Sequence, residues 1–353
     1  MEKNKASRTN RRDFLSLAAT SLVAAKTSAR ASSQEARDPR APQKHFRIVD
    51  THLHTFNSKL QGAHGIPYYD PESTIEYELS LMDRGGVDKA FLISYNSEDI
   101  AVENRYRGMS PVTMLPVINK EYQVKSWQAH KDRFWWFTDH VNPLHEHYLE
   151  DLEHDFELGA SGVKLLPMFH GLLPDNPAWI PVYDLCLRRR KPIIIDWSWW
   201  YLGGEVGWGM NESRERQELC KSYRSYADWV KPMDPIFDQF TALPISLAHC
   251  GTPKTRDDYE HIFAFIARHP NCHCDLAAIP DYNPWFIEQL VKAVGPRKVM
   301  YGTDAPYWFT GKDSYMLGSR RWGVVGEDCY FLNDAEKQLI LAGNAERFVK
   351  FAM

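Results

Sequence analysis

His52 and His54 stand two residues apart at the end of the apolar run that begins at Phe46. In a β-strand, side chains at i and i+2 point to one face. Two imidazoles on one face, at the C-terminal end of a strand, make a pincer for a divalent metal. Further along the chain, other groups that bind metals or move protons stand where apolar runs end. Lys164 interrupts Gly162-Val163-Lys164-Leu165-Leu166-Pro167, and Asp196 follows Ile193-Ile194-Ile195. His249 lies in Ala248-His249-Cys250-Gly251, and Asp304 in Tyr301-Gly302-Thr303-Asp304-Ala305-Pro306. Unpaired charges in such apolar surroundings are costly, and a bound dication is a direct remedy.

Positioning these groups requires strands that share one end. Apolar runs at 46–52, 87–94, 133–141, 162–166, 192–197, 244–249, 272–277 and 298–301 read as eight strands. Helical patterns separate most of them, at 73–85, 147–158, 178–190, 235–241, 257–268 and 284–294, and two more close the chain at 334–341 and 344–351. Residues 95–132 are less regular and contain a further helix. Eight strands with helical crossovers predict a single (β/α)8 TIM barrel, an α/β fold. A barrel gathers its active groups at the C-terminal ends of its strands. His52, His54, Lys164, Asp196, His249 and Asp304 are therefore expected around one mouth.

The N-terminus reads as a targeting segment. Arg11-Arg12-Asp13-Phe14-Leu15 has the form of a twin-arginine export motif, with an apolar stretch over 15–25 and an A-x-A site at Ala29-Arg30-Ala31. The expected layout is a signal peptide over 1–31, a linker over 32–44 and the barrel over 45–353. That layout implies the twin-arginine export machinery as a partner and a periplasmic or secreted bacterial location. The formal net charge is −4, with no basic block, which argues against nucleic acid as a partner. No apolar run is long enough for a stable membrane span. The 6 cysteines lack zinc-finger spacing and read mainly as buried free thiols.

The chain resembles the amidohydrolase superfamily, in its amidohydrolase-related branch, which includes the aminocarboxymuconate-semialdehyde decarboxylase group. The resemblance rests on Asp50-Thr51-His52-Leu53-His54, on the strand-four motif, on Leu247-Ala248-His249-Cys250-Gly251, on Tyr301 to Pro306, and on the closing run from Ile340 to Phe348. It implies one divalent metal ion, zinc first and manganese or iron as alternatives, held by His52, His54 and Asp304. It implies a catalytic or metal-binding role for His249. The branch usually ends strand five in a metal-binding histidine, and this chain has Asp196 there, so Asp196 is a tentative fourth ligand. Lys164 reads as a cation of the substrate pocket. The expected activity is metal-assisted hydrolysis of a small organic substrate (an ester, lactone, amide or C–C bond) by metal-activated water, with Asp304 and His249 moving protons. The alternatives are a metal-dependent decarboxylase of an aromatic or conjugated acid, a metal-independent lactonase, or a barrel that only binds a ligand. Members of the family are often dimers or tetramers, so a homo-oligomer is expected, though no segment specifies its interface.

Strand five leads into Trp197-Ser198-Trp199-Trp200-Tyr201. Trp197, Trp199 and Trp200 read as an aromatic wall for the substrate, with packing under a long loop as the competing reading. Arg214 and Arg216, in the same loop, fit a carboxylate clamp or a solvated face. His170, after strand four, is a tentative substrate contact. His140 and Asp281 also follow strands.

Overall fold

Eight short parallel strands follow one another around one sheet in chain order: β1 Val49–Leu53, β2 Lys89–Ile93, β3 Phe134–Thr138, β4 Gly162–Leu165, β5 Ile193–Ile195, β6 Ile245–Leu247, β7 Cys272–Asp275 and β8 Val299–Met300. They come from a computed structural model that describes residues 46–55, 74–139 except 94–119, 141–167, 172–197, 225–277 except 254, 284–305 and 323–351. The segment expected to carry the signal peptide and linker lies outside the described residues. Residues 46–353 form one compact unit.

The sheet closes on itself. Thr51 N–H donates to Tyr301 O at 2.9 Å, Asp304 N–H to His52 O at 2.8 Å and His54 N–H to Ala305 O at 2.8 Å. These bonds join β1 to the residues just after β8 and complete a (β/α)8 barrel. Most strands are apolar on both faces, as the Ile193-Ile194-Ile195 run of β5 shows, because parallel barrel strands are covered on both sides.

Helices pack around the outside, among them α1 Ile75–Gly85, α2 Lys120–Ala129, α3 Tyr148–Leu158, α4 Ile180–Arg189, α5 Tyr226–Val230, α6 Asp234–Gln239, α7 Arg256–Arg268 and α8 Pro284–Val294. Their starts are encoded locally. Thr255 and Asp258 form a capping box on α7, with Asp258 N–H donating to Thr255 Oγ1 at 3.2 Å and Thr255 N–H to Asp258 Oδ2 at 2.9 Å. The buried face of α7 is Ile262, Phe263, Phe265 and Ile266, the spacing of one helical stripe. The larger core lies between this helical layer and the strands. It includes the fully buried Trp136, Trp179, Trp197 and Trp229. At about 25 cal/mol per Å² and roughly 200 Å² each, every such indole contributes about 5 kcal/mol of burial.

A second cluster fills the barrel itself. Val49, Phe91, Phe137, Ile194 and Met300 meet Ala345, Phe348 and Val349. The last three come from α10 Asn344–Lys350, which follows α9 Asp334–Gln338 and a π-helical turn at Leu339–Gly343. The Phe91 and Phe137 rings stack at 4.6 Å, and Phe348 covers them at 6.4 and 6.5 Å. Gly162 makes room for this floor: a Cβ there would lie 2.3 Å from the Phe137 ring and 2.6 Å from Pro192 O. The polar end of the barrel therefore stands above a packed base.

No helix among the described residues is long and apolar enough to cross a membrane. Cys186, Cys250, Cys272, Cys274 and Cys329 are buried free thiols, as expected.

Candidate active site

The strands deliver their polar groups to one end by a simple rule. Ile194 belongs to the floor, and Asp196, two residues on, shares its face. His273 packs against Phe348 at 5.5 Å, and Asp275 is two residues on. β1 needs a correction to the alternation. Val49 is in the floor, and His52 also points inward although three residues separate them. A register shift between Asp50 and Leu53 supplies the missing half-period. Beyond that bulge the i, i+2 rule holds for His52 and His54, whose rings lie 5.2 Å apart.

Asp50 locks β1 to the turn that carries Asp304. Its carboxylate accepts from His52 N–H at 3.0 Å, from Thr303 N–H at 3.0 Å and from Thr303 Oγ1–H at 2.6 Å. Burial pushes this carboxyl up to about 7, against those hydrogen bonds. Asp304 has φ 62° and His249 φ 56°, both in the left-handed region. Such backbone costs a β-carbon residue about 1–2 kcal/mol and persists where surrounding bonds impose it. Asp304 N–H donates to His52 O, and His249 N–H donates to Asp275 Oδ1 at 2.8 Å.

Three donors then converge. His52 Nε2 and His54 Nε2 lie 3.5 and 3.4 Å from Asp304 Oδ1. Two ligands on a tetrahedral ion with bonds of about 2.0–2.1 Å stand about 3.3 Å apart, so this spacing suits a divalent cation. Burial lowers the pKa of both imidazoles, helped at His52 by the Lys164 charge. They are therefore held neutral, the form that ligates metals. Two imidazoles and a carboxylate accept zinc, manganese or iron. Lys164 Nζ lies 3.0 Å from His52 Nε2 and uses the lone pair a metal would take. Its other neighbour is Asp196 Oδ2, at 3.8 Å. The residues fit a metal, with an ammonium as internal competitor.

Across the mouth the electrostatics reverse. His249 Nε2 lies 3.5 Å from Asp196 Oδ2, and its Nδ1–H donates to Ala277 O at 3.1 Å. Burial alone would lower its pKa. The Asp304 and Asp196 carboxylates outweigh burial and hold it at about 9. His249 is thus an imidazolium near neutral pH, its ring centroid 4.5 Å from that of neutral His52 with the two planes tilted by 31°.

The structure brings His52, His54, Lys164, Asp196, His249 and Asp304 to one end of the barrel, as the strand ends predict. It does not group Asp196 with the three donors. Among the described residues, the clusters with ligand spacing are His52, His54 and Asp304, and His52, His249 and Asp275. Asp196 instead stands between Lys164 and His249, where a carboxylate is already balanced by two cations. Trp197 also differs from the expected aromatic wall. It is 2% exposed and stacked on Trp229 at 4.0 Å and 8°. Each indole N–H donates to the other's backbone carbonyl, at 2.7 and 2.9 Å. Trp199, Trp200, His170, His140, Asp281, Arg214 and Arg216 lie outside the described residues. Asp275 is the residue that sequence reasoning passed over. It is a carboxylate ending a buried strand, the same signal that singled out Asp196, hidden here between Cys274 and an apolar pair.

A sequence profile of the family described as amidohydrolase matches residues 49–351. No curated protein sequence matches the chain. Among solved structures, an uncharacterized TIM-barrel protein of Bordetella bronchiseptica is similar at TM-score 0.62 and 15% identity, over 87% of this chain and 99% of that one. A 5-carboxyvanillate decarboxylase of Sphingomonas paucimobilis is similar at TM-score 0.55 and 15% identity, over 86% and 99%. A probable 2-pyrone-4,6-dicarboxylic acid hydrolase of Acinetobacter baumannii is similar at TM-score 0.57 and 15% identity, over 86% and 100%. At these identities the likeness is one of fold.

Proposed function

Because this chain belongs to the amidohydrolase family, we propose that it is a metal-dependent hydrolase of a small organic molecule, with His52, His54 and Asp304 as metal ligands. The convergence of three donors at ligand spacing carries the reading. A divalent ion bound there supplies Lewis acidity and brings the pKa of water toward about 7. Asp304 would hold the ion and would also be the carboxylate to accept a proton from the attacking water. His249, 3.5 Å from Asp196, would be the group that gives one to the departing group. Lys164 offers its ammonium to an anionic group of the substrate, with Asp196 fixing its reach. All these groups are fixed by backbone before substrate arrives, which is where preorganised sites gain their rate.

One observation favours a second reading, decarboxylation of an aromatic or conjugated acid. A buried imidazolium also suits delivery of a proton to carbon as CO₂ leaves, and the solved decarboxylase shares the fold. The test is elemental analysis of the purified protein, followed by turnover of candidate esters, lactones and aromatic acids in ¹⁸O-labelled water. Hydrolysis places the label in the organic product; decarboxylation releases CO₂ and leaves the organic product unlabelled. A protein with no stoichiometric metal after reconstitution, and turnover that chelator leaves unchanged, refutes both. We also read residues 1–31 as an export signal, which makes the mature enzyme periplasmic or secreted.

A further inference from the structure

We propose that Asp275 is the positioning residue of this site: one carboxylate sets the tautomer of His52 and the orientation of the His249 ring, so that each turns its Nε2 to the cavity. The argument begins with what each imidazole nitrogen faces. His52 Nδ1 lies 3.1 Å from Asp275 Oδ2. A carboxylate can only accept, so Nδ1 carries the hydrogen and Nε2 carries the lone pair. That is the tautomer in which Nε2 can hold a metal, and the one that accepts from Lys164 at 3.0 Å.

The second oxygen reaches His249 by the backbone. Asp275 Oδ1 accepts from His249 N–H at 2.8 Å and from Ala277 N–H at 3.1 Å. The first bond holds His249 in its left-handed conformation, from which the ring reaches the cavity. The second fixes the peptide of Ala277, whose carbonyl accepts from His249 Nδ1 at 3.1 Å. Asp275 is 1% exposed, so water cannot replace any of these bonds. A carboxylate is required because three donors converge on its two oxygens. An amide has one acceptor and one donor group in the same space.

That asymmetry makes Asp275→Asn diagnostic while nearly preserving shape. Two backbone N–H groups outweigh one imidazole, so the amide oxygen turns to His249 and Ala277. The amide NH₂ then faces His52 Nδ1 and forces it to become an acceptor. Nε2 gains the hydrogen and can no longer donate a pair to a metal.

The experiment uses the full chain, labelled with ¹⁵N in its histidine rings, with imidazole spectra recorded on metal-free protein at mildly alkaline pH. His52→Ala and His249→Ala spectra assign the signals. In the parent His52 should be the Nδ1–H tautomer, and His249 should carry hydrogen on Nδ1 whether or not its Nε2 is also protonated. In Asp275→Asn the His52 hydrogen should move to Nε2. Zinc affinity, measured by chelator competition, should fall about 10–100-fold, the usual cost of losing a group that orients a ligand histidine. A parent His52 that carries its hydrogen on Nε2 overturns the proposal without any variant. So does an Asp275→Asn protein whose His52 tautomer is unchanged. The zinc measurement rests on the reading of His52 as a ligand, and the tautomer measurement does not. A moved tautomer with unchanged zinc affinity therefore supports Asp275 as the positioning residue and overturns His52 as a ligand.

Discussion

The two sides of the barrel mouth are buried alike and charged differently. On the β1 side, His52 and His54 are 1% and 3% exposed, and burial holds both neutral. On the β5–β6 side, His249 is 5% exposed, yet its pKa rises to about 9. Burial is the largest influence on all three, and it acts in one direction. What differs is the company. His52 has the Lys164 ammonium at its Nε2, whereas His249 has the Asp196 and Asp304 carboxylates. One cavity thus contains imidazoles fit to ligate and an imidazolium fit to donate a proton. The balance of cationic and carboxylate charge around each ring makes that division, and the depth of burial alone does not.

The largest expected effect tests whether the β1 side binds metal at all. His52→Ala should lose stoichiometric metal and reduce turnover by about 10³-fold or more, while His249→Ala keeps its metal. Elemental analysis of both variants decides it, and equal metal content in the two would erase the division. A smaller effect concerns the protonated side. His249 has a folded pKa of about 9, above its ordinary 6.5. Its contribution to stability is therefore complete below pH 6.5 and is lost as pH rises through about 9. In chelator-treated protein that loss should amount to about 3 kcal/mol at most. Urea unfolding across the window should show it in the parent and not in His249→Gln. A flat profile in the parent would mean that His249 is neutral throughout. The smallest effect separates Asp196 from the donors. Asp196→Asn should lower the His249 pKa by about one unit and change metal affinity by less than about tenfold. Loss of metal as complete as in His52→Ala would place Asp196 among the ligands after all.

Much of this arrangement was legible in the sequence because a parallel barrel imposes a rule. Strands bury both faces, so a charge at the end of an apolar run stands out, and Lys164, Asp196 and Asp304 were visible on that ground. The pairing of His52 with His54 followed from a period of two. The bulge in β1 was not legible, because nothing between Asp50 and Leu53 marks a register shift, and it is the shift that lets Val49 and His52 face the same interior. Asp275 does not stand out because its strand is not an apolar run: Cys272, His273 and Cys274 precede it, and the two thiols turn away into the helix-facing core. Trp197 was read from its neighbours in sequence, an aromatic run after a strand. Its partner Trp229 lies 32 residues on, beyond the reach of any local pattern. The cavity charge of His249 was also beyond sequence, since it depends on carboxylates from β5 and from the turn after β8.

The mutual bonding of Trp197 and Trp229 has a consequence for how this scaffold can change. The two residues stand at either end of 198–228, and each holds the other's carbonyl through its indole N–H. The end of β5 and the helix α5 are thus stapled together inside the core. The staple ties β5 to α5 through side chains of the core, so the register of the barrel does not depend on the sequence that connects them.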